Sequence, residues 1–364
     1  MRRVLFSLLS IAPPRRMNGW AGRPHRSIAS RYVIADWHGQ GTDGGDSETM
    51  AKGYRAAGAF GVALLLGCSG AAPGHDNGSA IAAQAAQEGH GKPYALLGSE
   101  VWDVPDPASG RDYQVFVSVP PSYAKEPQRT YPVLYVTDAD YAFPVVRQIA
   151  RRLNVEGPKV QDFILVGLSY AKGDDPVQSR RRDYTPTARG PSDAPADTVH
   201  GGGGAYQRYL RDHVLPFIAG RYRTDPLQKL FLGHSYGALL GTQILFTDPA
   251  MFDGYILGSP SLWYDKRHMF AAETAYAAAH RDLAAKVYIY TGEYEAVREG
   301  DPRFNKTMDM VGDSEALVAT LKRRGYPGLQ IRADVLNDED HVSVAPRGFT
   351  KGLTYLLPAP LAAK

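Results

Sequence analysis

A single cysteine, Cys68, stands in 364 residues. One thiol cannot close an intrachain disulfide or build a cysteine-rich metal site, so neither underlies this fold. Charge of one sign is also lacking where it would matter. The formal net charge is +3, but residues 1–49 hold seven Arg against four acidic residues, and Lys52 and Arg55 follow. Beyond Gly67 the chain is slightly acidic, which removes any case for nucleic-acid binding from overall charge. Internal repeats and low-complexity domains are missing too. What remains is 44% apolar and 22% charged, enough for a sizeable globular core.

The lone cysteine sits at an informative place. From Met50, "MAKGYRAAGAFGVALLLGC" runs from a short cationic segment into the apolar stretch 56–66 and stops at Gly67-Cys68. This is the layout of a secretory signal, and the stretch is too short to span a bilayer comfortably. Gly58, Gly61 and Gly67 weaken the alternative of a buried Ala-rich helix. Leu65-Leu66-Gly67-Cys68 resembles the bacterial lipobox, which implies lipidation of Cys68 and an exported protein, periplasmic or anchored at the outer membrane; Ser69 resembles the outer-membrane sorting signal. The division expected is a non-native extension at 1–49 ahead of a true start at Met50, a lipoprotein-type signal at 50–68, a flexible linker at 69–93 and one folded domain at 94–360.

Within that domain, β-rich runs alternate with helical patterns. Strands are expected at 112–120, 131–138, 162–170, 229–235, 252–260, 285–292 and 329–336. Helices are expected at 144–157, 205–223, 238–246, 267–281 and 314–325, with a last one after His341 and Pro346 near its start. The stretch 171–203, rich in Arg, Pro and Gly, is expected to be irregular. Runs such as "YPVLYVTD" are apolar at consecutive positions, as in strands covered on both faces. The fold class expected is α/β: a mostly parallel twisted sheet with helices on both faces and an antiparallel edge from the early strands.

Gly233-His234-Ser235-Tyr236-Gly237 lies where a strand ends and a helix begins. The pattern Gly-x-Ser-x-Gly is common by chance, but this context is specific. A sharp turn there exposes the serine hydroxyl at the carboxyl edge of the sheet, and the helix N-terminus with the Tyr236 N–H meets a developing oxyanion. Ser235 is therefore the candidate nucleophile. A base must follow it. Only His268, His280 and His341 do, and the first two sit in an Ala-rich helical stretch, which leaves His341 in "NDEDHVSV". For the acid, Glu295 is favoured, three residues past Gly292, with Glu293 a close alternative and Asp265 a third. A second oxyanion donor is expected after "PVLYVTD", from the N–H of Ala139 or Asp140. The run "HGGGG" (200–204) precedes a helix and follows a later strand, so it is expected to form a mobile loop at the site. It is not a phosphate cradle, because no Gly-Lys-Ser/Thr follows.

"YPVLYVTDAD", "RRRDYTPT", "LFLGHSYGALLG", "SPSLWYD", "YTGEYE" and "DEDHVSV" together resemble the esterase family of α/β-hydrolases that includes enterochelin esterases, ferri-bacillibactin esterase and periplasmic trilactone hydrolases. The resemblance covers roughly residues 95–358. It implies an α/β-hydrolase fold and a Ser–acid–His esterase, carrying over Ser235 and His341 and also Glu295. The family often has Asp-Gly where this chain has Asp138-Ala139. Its siderophore members bind anionic ferric catecholates, which makes Arg180, Arg181 and Arg182, or Arg147, Arg151 and Arg152, candidates to meet that charge. The alternatives are a brace of the loop against the core by Arg180 and Asp183, and a solvated helix face for Arg151 and Arg152. Trp263 is expected to line an acyl or aryl pocket, or to be core. The function expected is a serine carboxylester hydrolase working through an acyl-enzyme on siderophore-type lactones or other small esters. It needs no metal or organic cofactor and meets the membrane only through a lipid anchor. The alternatives are an acyltransferase of the mycolyltransferase type and a lipid-anchored binding protein without turnover.

Overall fold

The computed structural model describes residues 94–192 and 194–360; the expected extension, signal with Cys68, and linker lie outside the described residues. Eight strands are present: β1 (Glu100–Asp106), β2 (Arg111–Ser118), β3 (Tyr131–Val136), β4 (Ile164–Ala171), β5 (Thr224–His234), β6 (Gly254–Gly258), β7 (Ala285–Gly292) and β8 (Leu329–Leu336). They form one sheet in the order β1-β2-β4-β3-β5-β6-β7-β8. β2 runs antiparallel to both β1 and β4, and the other pairs are parallel. The helices are α1 (Ala139–Leu153), α2 (Pro176–Asp183), α3 (Gly203–Tyr209), α4 (Leu215–Ala219), α5 (Tyr236–Thr247), α6 (Tyr264–Ala279), α7 (Met310–Arg324) and α8 (Val344–Leu356). This is the α/β-hydrolase architecture that the sequence predicts.

The apolar runs are explained by two cores. Along β3, Leu134 and Val136 pack with α1 and α8 through Val146, Phe349 and Leu353. Val133 and Tyr135 point to the opposite face, where α3 to α7 contribute Tyr206, Ile218, Leu239, Met269 and Leu317. Burial on both sides leaves no position for a polar alternation. The parallel register also sets the chemistry. Val136 pairs with Leu232, His234 with Gly258, and Gly258 with Tyr290, so β3, β5, β6 and β7 end at one edge of the sheet.

Several elements depart from expectation. β1 is an exposed edge strand whose burial appears only at Val104 and Asp106, so it carries no clear apolar period. α2 falls within the stretch expected to be irregular. It is almost devoid of apolar residues and is started by Asp175, whose side chain accepts from Val177 N and Gln178 N, with Pro176 at the first helical position. The helix expected at 205–223 is divided by a π turn over Leu210–Val214, directly ahead of Pro216, which has no N–H to continue the regular ladder. α1 starts at Ala139 and keeps Pro144 inside, five residues earlier than expected.

α8 seats closely on the sheet because Gly348 faces Tyr290. A Cβ built there would lie 2.3 Å from the Tyr290 ring, which is fully buried. Replacing an interior helical glycine by alanine ordinarily stabilises by about 0.5–1 kcal/mol. Gly348→Ala is expected to reverse that sign and destabilise by about 1–3 kcal/mol through overpacking, read as a lower denaturant midpoint at unchanged m-value.

Candidate active site

Ser235 occupies the turn between β5 and α5 with φ 59° and ψ −120°, a conformation an L-residue adopts only at a cost. It is held there by Ser235 N donating to Gly258 O at 2.8 Å and by Leu239 N donating to Ser235 O at 3.0 Å. Glycine is required on both sides. A Cβ at Gly233 would meet the Gly237 carbonyl carbon at 2.3 Å, and one at Gly237 would meet Thr137 Oγ1 at 2.2 Å. The second approach also brings the Thr137–Asp138 turn against the start of α5.

His341 lies in the loop between β8 and α8. Its Nδ1 is 2.6 Å from Glu295 Oε2. A carboxylate there accepts, so Nδ1 carries the hydrogen and Nε2 is the free base of the neutral ring. Glu295 itself is 1% exposed, in the short turn after β7. Its other oxygen accepts from Ser259 Oγ at 2.5 Å and from Gly292 N at 2.8 Å. Burial pushes the Glu295 carboxyl up, but hydrogen bonding and charge from His341, with Ser259 and Gly292, more than offset it, and the group sits below the usual carboxylate range.

Glu293 and Asp265 are engaged elsewhere. Glu293 accepts from Asp338 N at 3.0 Å, and Asp265 accepts from Thr187 Oγ1 at 2.7 Å with Arg189 at 3.8 Å. Among the described residues no hydrogen bond joins Ser235 to His341; Ser235 Oγ is 3.5 Å from Ser261 Oγ. The histidine is nonetheless brought beside the neighbour of Ser235. The His341 ring centroid is 4.8 Å from that of His234, and His234 Nε2 donates to the His341 carbonyl at 2.8 Å. The other His234 nitrogen then accepts from Tyr290 Oη at 3.2 Å. Burial, followed by the neighbouring His341, pushes the His234 imidazole down to about 3, so it stays neutral.

Sequence reasoning overlooked three of these residues. His234 is the variable position of the serine motif, and Ser259 and Ser261 flank a proline in "SPS". Nothing in their spacing distinguishes them from ordinary loop residues.

Ala139 and Asp140 are the first residues of α1, where backbone N–H groups have no acceptor within the helix. Ahead of them Asp138 is left-handed, with φ 52° and ψ 49°. Its Oδ1 accepts from Arg180 Nε at 2.9 Å and from Tyr170 Oη at 2.7 Å. Arg180 also lies over the Tyr236 ring, 5.3 Å from its centroid. The arginine expected to meet substrate charge is thus committed to fixing the Asp138 turn, although it also lines a cleft of about 290 Å³ with Asp138, Tyr141 and His234. Arg182 is similarly spent on Asp174 and Asp183. Arg147, Arg151 and Arg152 lie in the second half of α1, away from this edge. Trp263 packs 6.1 Å from Tyr236 and lines a cleft of about 360 Å³ with Lys266, Arg267 and Met308.

The glycine run is not the mobile loop expected. Gly201 N donates to Thr185 Oγ1, Gly202 N to Arg182 O and Gly203 N to Thr185 O, all within 2.9 Å. Three bound successive amides tie the run to the chain after α2, where it opens α3.

The chain is similar to known proteins over most of the described region. The family model described as "Putative esterase" matches residues 107–328. The chain is similar to the ferri-bacillibactin esterase BesA of Bacillus subtilis, at 27% identity over 72% of this chain and 91% of that one. It is also similar to a siderophore enterobactin esterase of Emericella nidulans, at 25% identity over 73% and 95%. Among solved structures, an IroE-like serine hydrolase from Shewanella oneidensis shares the fold with a TM-score of 0.62 at 22% identity, covering 71% of this chain and 80% of that one. With more than half of its length matched by the family model, this carboxylic ester hydrolase belongs to the putative esterase family.

Proposed function

We propose that the protein hydrolyses siderophore-type lactone esters through Ser235, His341 and Glu295, with the oxyanion held by the N–H groups of Tyr236 and of Ala139 or Asp140. The observation that carries this reading is the 2.6 Å contact between His341 and the buried Glu295, at the sheet edge where Ser235 is held in a strained turn. The choice of substrate class is supported by the relatives, two of which are named as siderophore esterases.

His341 Nε2 takes the proton as Ser235 Oγ attacks the ester carbonyl, and Glu295 stabilises the imidazolium that forms. Collapse of the tetrahedral intermediate releases the alcohol, which takes its proton from His341. Water then enters, is deprotonated by the same nitrogen, and frees the acid from the acyl-enzyme. The serine hydroxyl must exchange its long contact with Ser261 for one with His341, a tightening ordinary for the substrate-bound state. His234 does not compete for that proton, because its Nε2 already carries the hydrogen it donates to the His341 carbonyl and its Nδ1 lone pair accepts from Tyr290 Oη. We further propose export and a lipid on Cys68, supported by the signal-like stretch from Met50.

A panel of aryl, acyl and siderophore-lactone esters tests the activity. Ser235→Ala is expected to lose activity by at least about 10³-fold, and Glu295→Gln by roughly 10²–10⁴-fold in kcat with little change in KM. Retained turnover in Ser235→Ala overturns the assignment of the nucleophile; a panel in which only non-siderophore esters react overturns the substrate class. For Cys68, labelling with a radioactive fatty acid in a Gram-negative host is expected for the native chain and abolished by Cys68→Ser.

A pH prediction follows from His234. Its folded value is about 3 against an ordinary 6.5. Between those values the unfolded chain binds a proton that the folded one refuses, so stability from this group is complete above pH 6.5 and declines as the pH falls toward 3. Chemical denaturation at pH 7 and pH 5 is expected to show a smaller loss for His234→Gln than for the native chain. Equal losses would contradict an imidazole that stays neutral in the folded chain.

A further inference from the structure

A second cleft, of about 320 Å³, opens far from the nucleophile. It is lined by Ser118 at the end of antiparallel β2, by Leu165 near the start of β4, and by the second half of α1. Because Ser118 pairs with Leu165, this is the amino-terminal end of the parallel strands, opposite to the edge that carries Ser235. Most of its wall is apolar: Val119, Pro120, Ala150, Val155, Phe163 and Leu165. Two guanidinium groups line it as well, Arg147 and Arg151.

Arg147 is the unusual one. It is only 6% exposed, and among the described residues it has no carboxylate partner. Its Nε donates to Ser118 Oγ at 2.8 Å and its Nη2 to the Leu97 carbonyl, while Nη1 has no acceptor among the described residues. Burial and then the neighbouring Arg151 both disfavour its charge. The one carboxylate lining the cleft, Asp162, accepts from Ser122 Oγ at 2.5 Å and forms no ion pair with either arginine. A guanidinium cannot shed its proton in a protein, so a buried and unpaired one calls for an anion.

We infer that this cleft binds a single-chain anionic amphiphile, its carboxylate between Arg147 and Arg151 and its hydrocarbon chain along Val119, Ala150, Val155 and Phe163. Charge complementarity selects the head, since the arginine fork matches a carboxylate and no carboxylate among the described residues pairs with it. The volume lies at the lower end of small-ligand sites, which suits one short chain rather than a two-chain lipid. The site is separate from the ester-cleaving edge and does not depend on which residues do the chemistry there.

The test is calorimetric titration of the full chain carrying Cys68→Ser with decanoate, 1-decanol and inorganic phosphate. Decanoate alone is expected to bind. Arg151→Gln, an exposed change that leaves the fold intact, is expected to weaken decanoate about tenfold through loss of a charge-assisted bond. Arg147→Met should abolish binding; hydrolysis of a neutral ester by the same preparation reports that it is folded. Labelling Ser235 with a fluorophosphonate should leave decanoate binding unchanged. Four results would overturn the inference: no decanoate binding, equal binding by Arg151→Gln, loss of binding on labelling Ser235, or binding of 1-decanol or phosphate as tight as that of decanoate. Capture on phosphatidylglycerol vesicles without binding of free decanoate would also overturn it, in favour of a bilayer contact.

Discussion

The site depends on the burial of one charge. Glu295 is almost fully removed from water, and a carboxylate in that position is tolerable only if each oxygen is satisfied. Three donors do so, and each belongs to a different part of the chain: Ser259 after β6, Gly292 at the end of β7, and His341 after β8. Satisfying the carboxylate therefore fixes three loops at once. The imidazole is oriented as a by-product of that electrostatic requirement, with its hydrogen on Nδ1 and its basic nitrogen left free. His234 adds a second tie, holding the backbone of His341 from the position next to Ser235.

Backbone strain gathers at the same edge. Asp138, Ser235 and Ser259 all have positive φ without being glycine. Each is held by bonds that a relaxed conformation would forfeit: Asp138 by Arg180 and Tyr170, Ser235 by Gly258 O, and Ser259 by both Glu295 and Tyr290 O. Such strain persists where neighbours over-determine the geometry. The parallel register supplies those neighbours, because β3, β5, β6 and β7 all end at that edge.

This explains what was legible in the sequence. The central strands were legible because a strand buried on two faces must be apolar at every position, whereas the exposed β1 has no such run. The placement of Ser235 and His341 at the sheet edge was legible because it follows from where strands end. The placement of the carboxylates was less so. Glu293 and Glu295 are both within three residues of Gly292, and spacing alone cannot say which is turned inward. In the fold Glu295 is turned inward onto three donors, whereas Glu293 reaches outward to the Asp338 amide. α2 was invisible because its face toward the protein is polar, with Ser179 and Asp183 buried rather than leucines. The glycine run misled for a related reason. Composition announces conformational freedom, but hydrogen bonds to Arg182 and Thr185 remove it.

The arginines show the same limit most clearly. Arg147 and Arg180 are alike in sequence, each followed closely by two further arginines, and either could be assigned to an anionic substrate. In the fold they are electrostatic opposites. Arg180 is matched by Asp138, and the pair stiffens the turn that leads into α1, so its charge is consumed in building the site. Arg147, two turns further along α1, is set among apolar residues with a hydroxyl and a carbonyl as its acceptors and another cation nearby. A hydroxyl and a carbonyl satisfy hydrogen bonds but do not cancel charge. The interior of a protein strongly penalises the difference, so the uncompensated guanidinium, not the paired one, is where a negatively charged ligand has most to contribute.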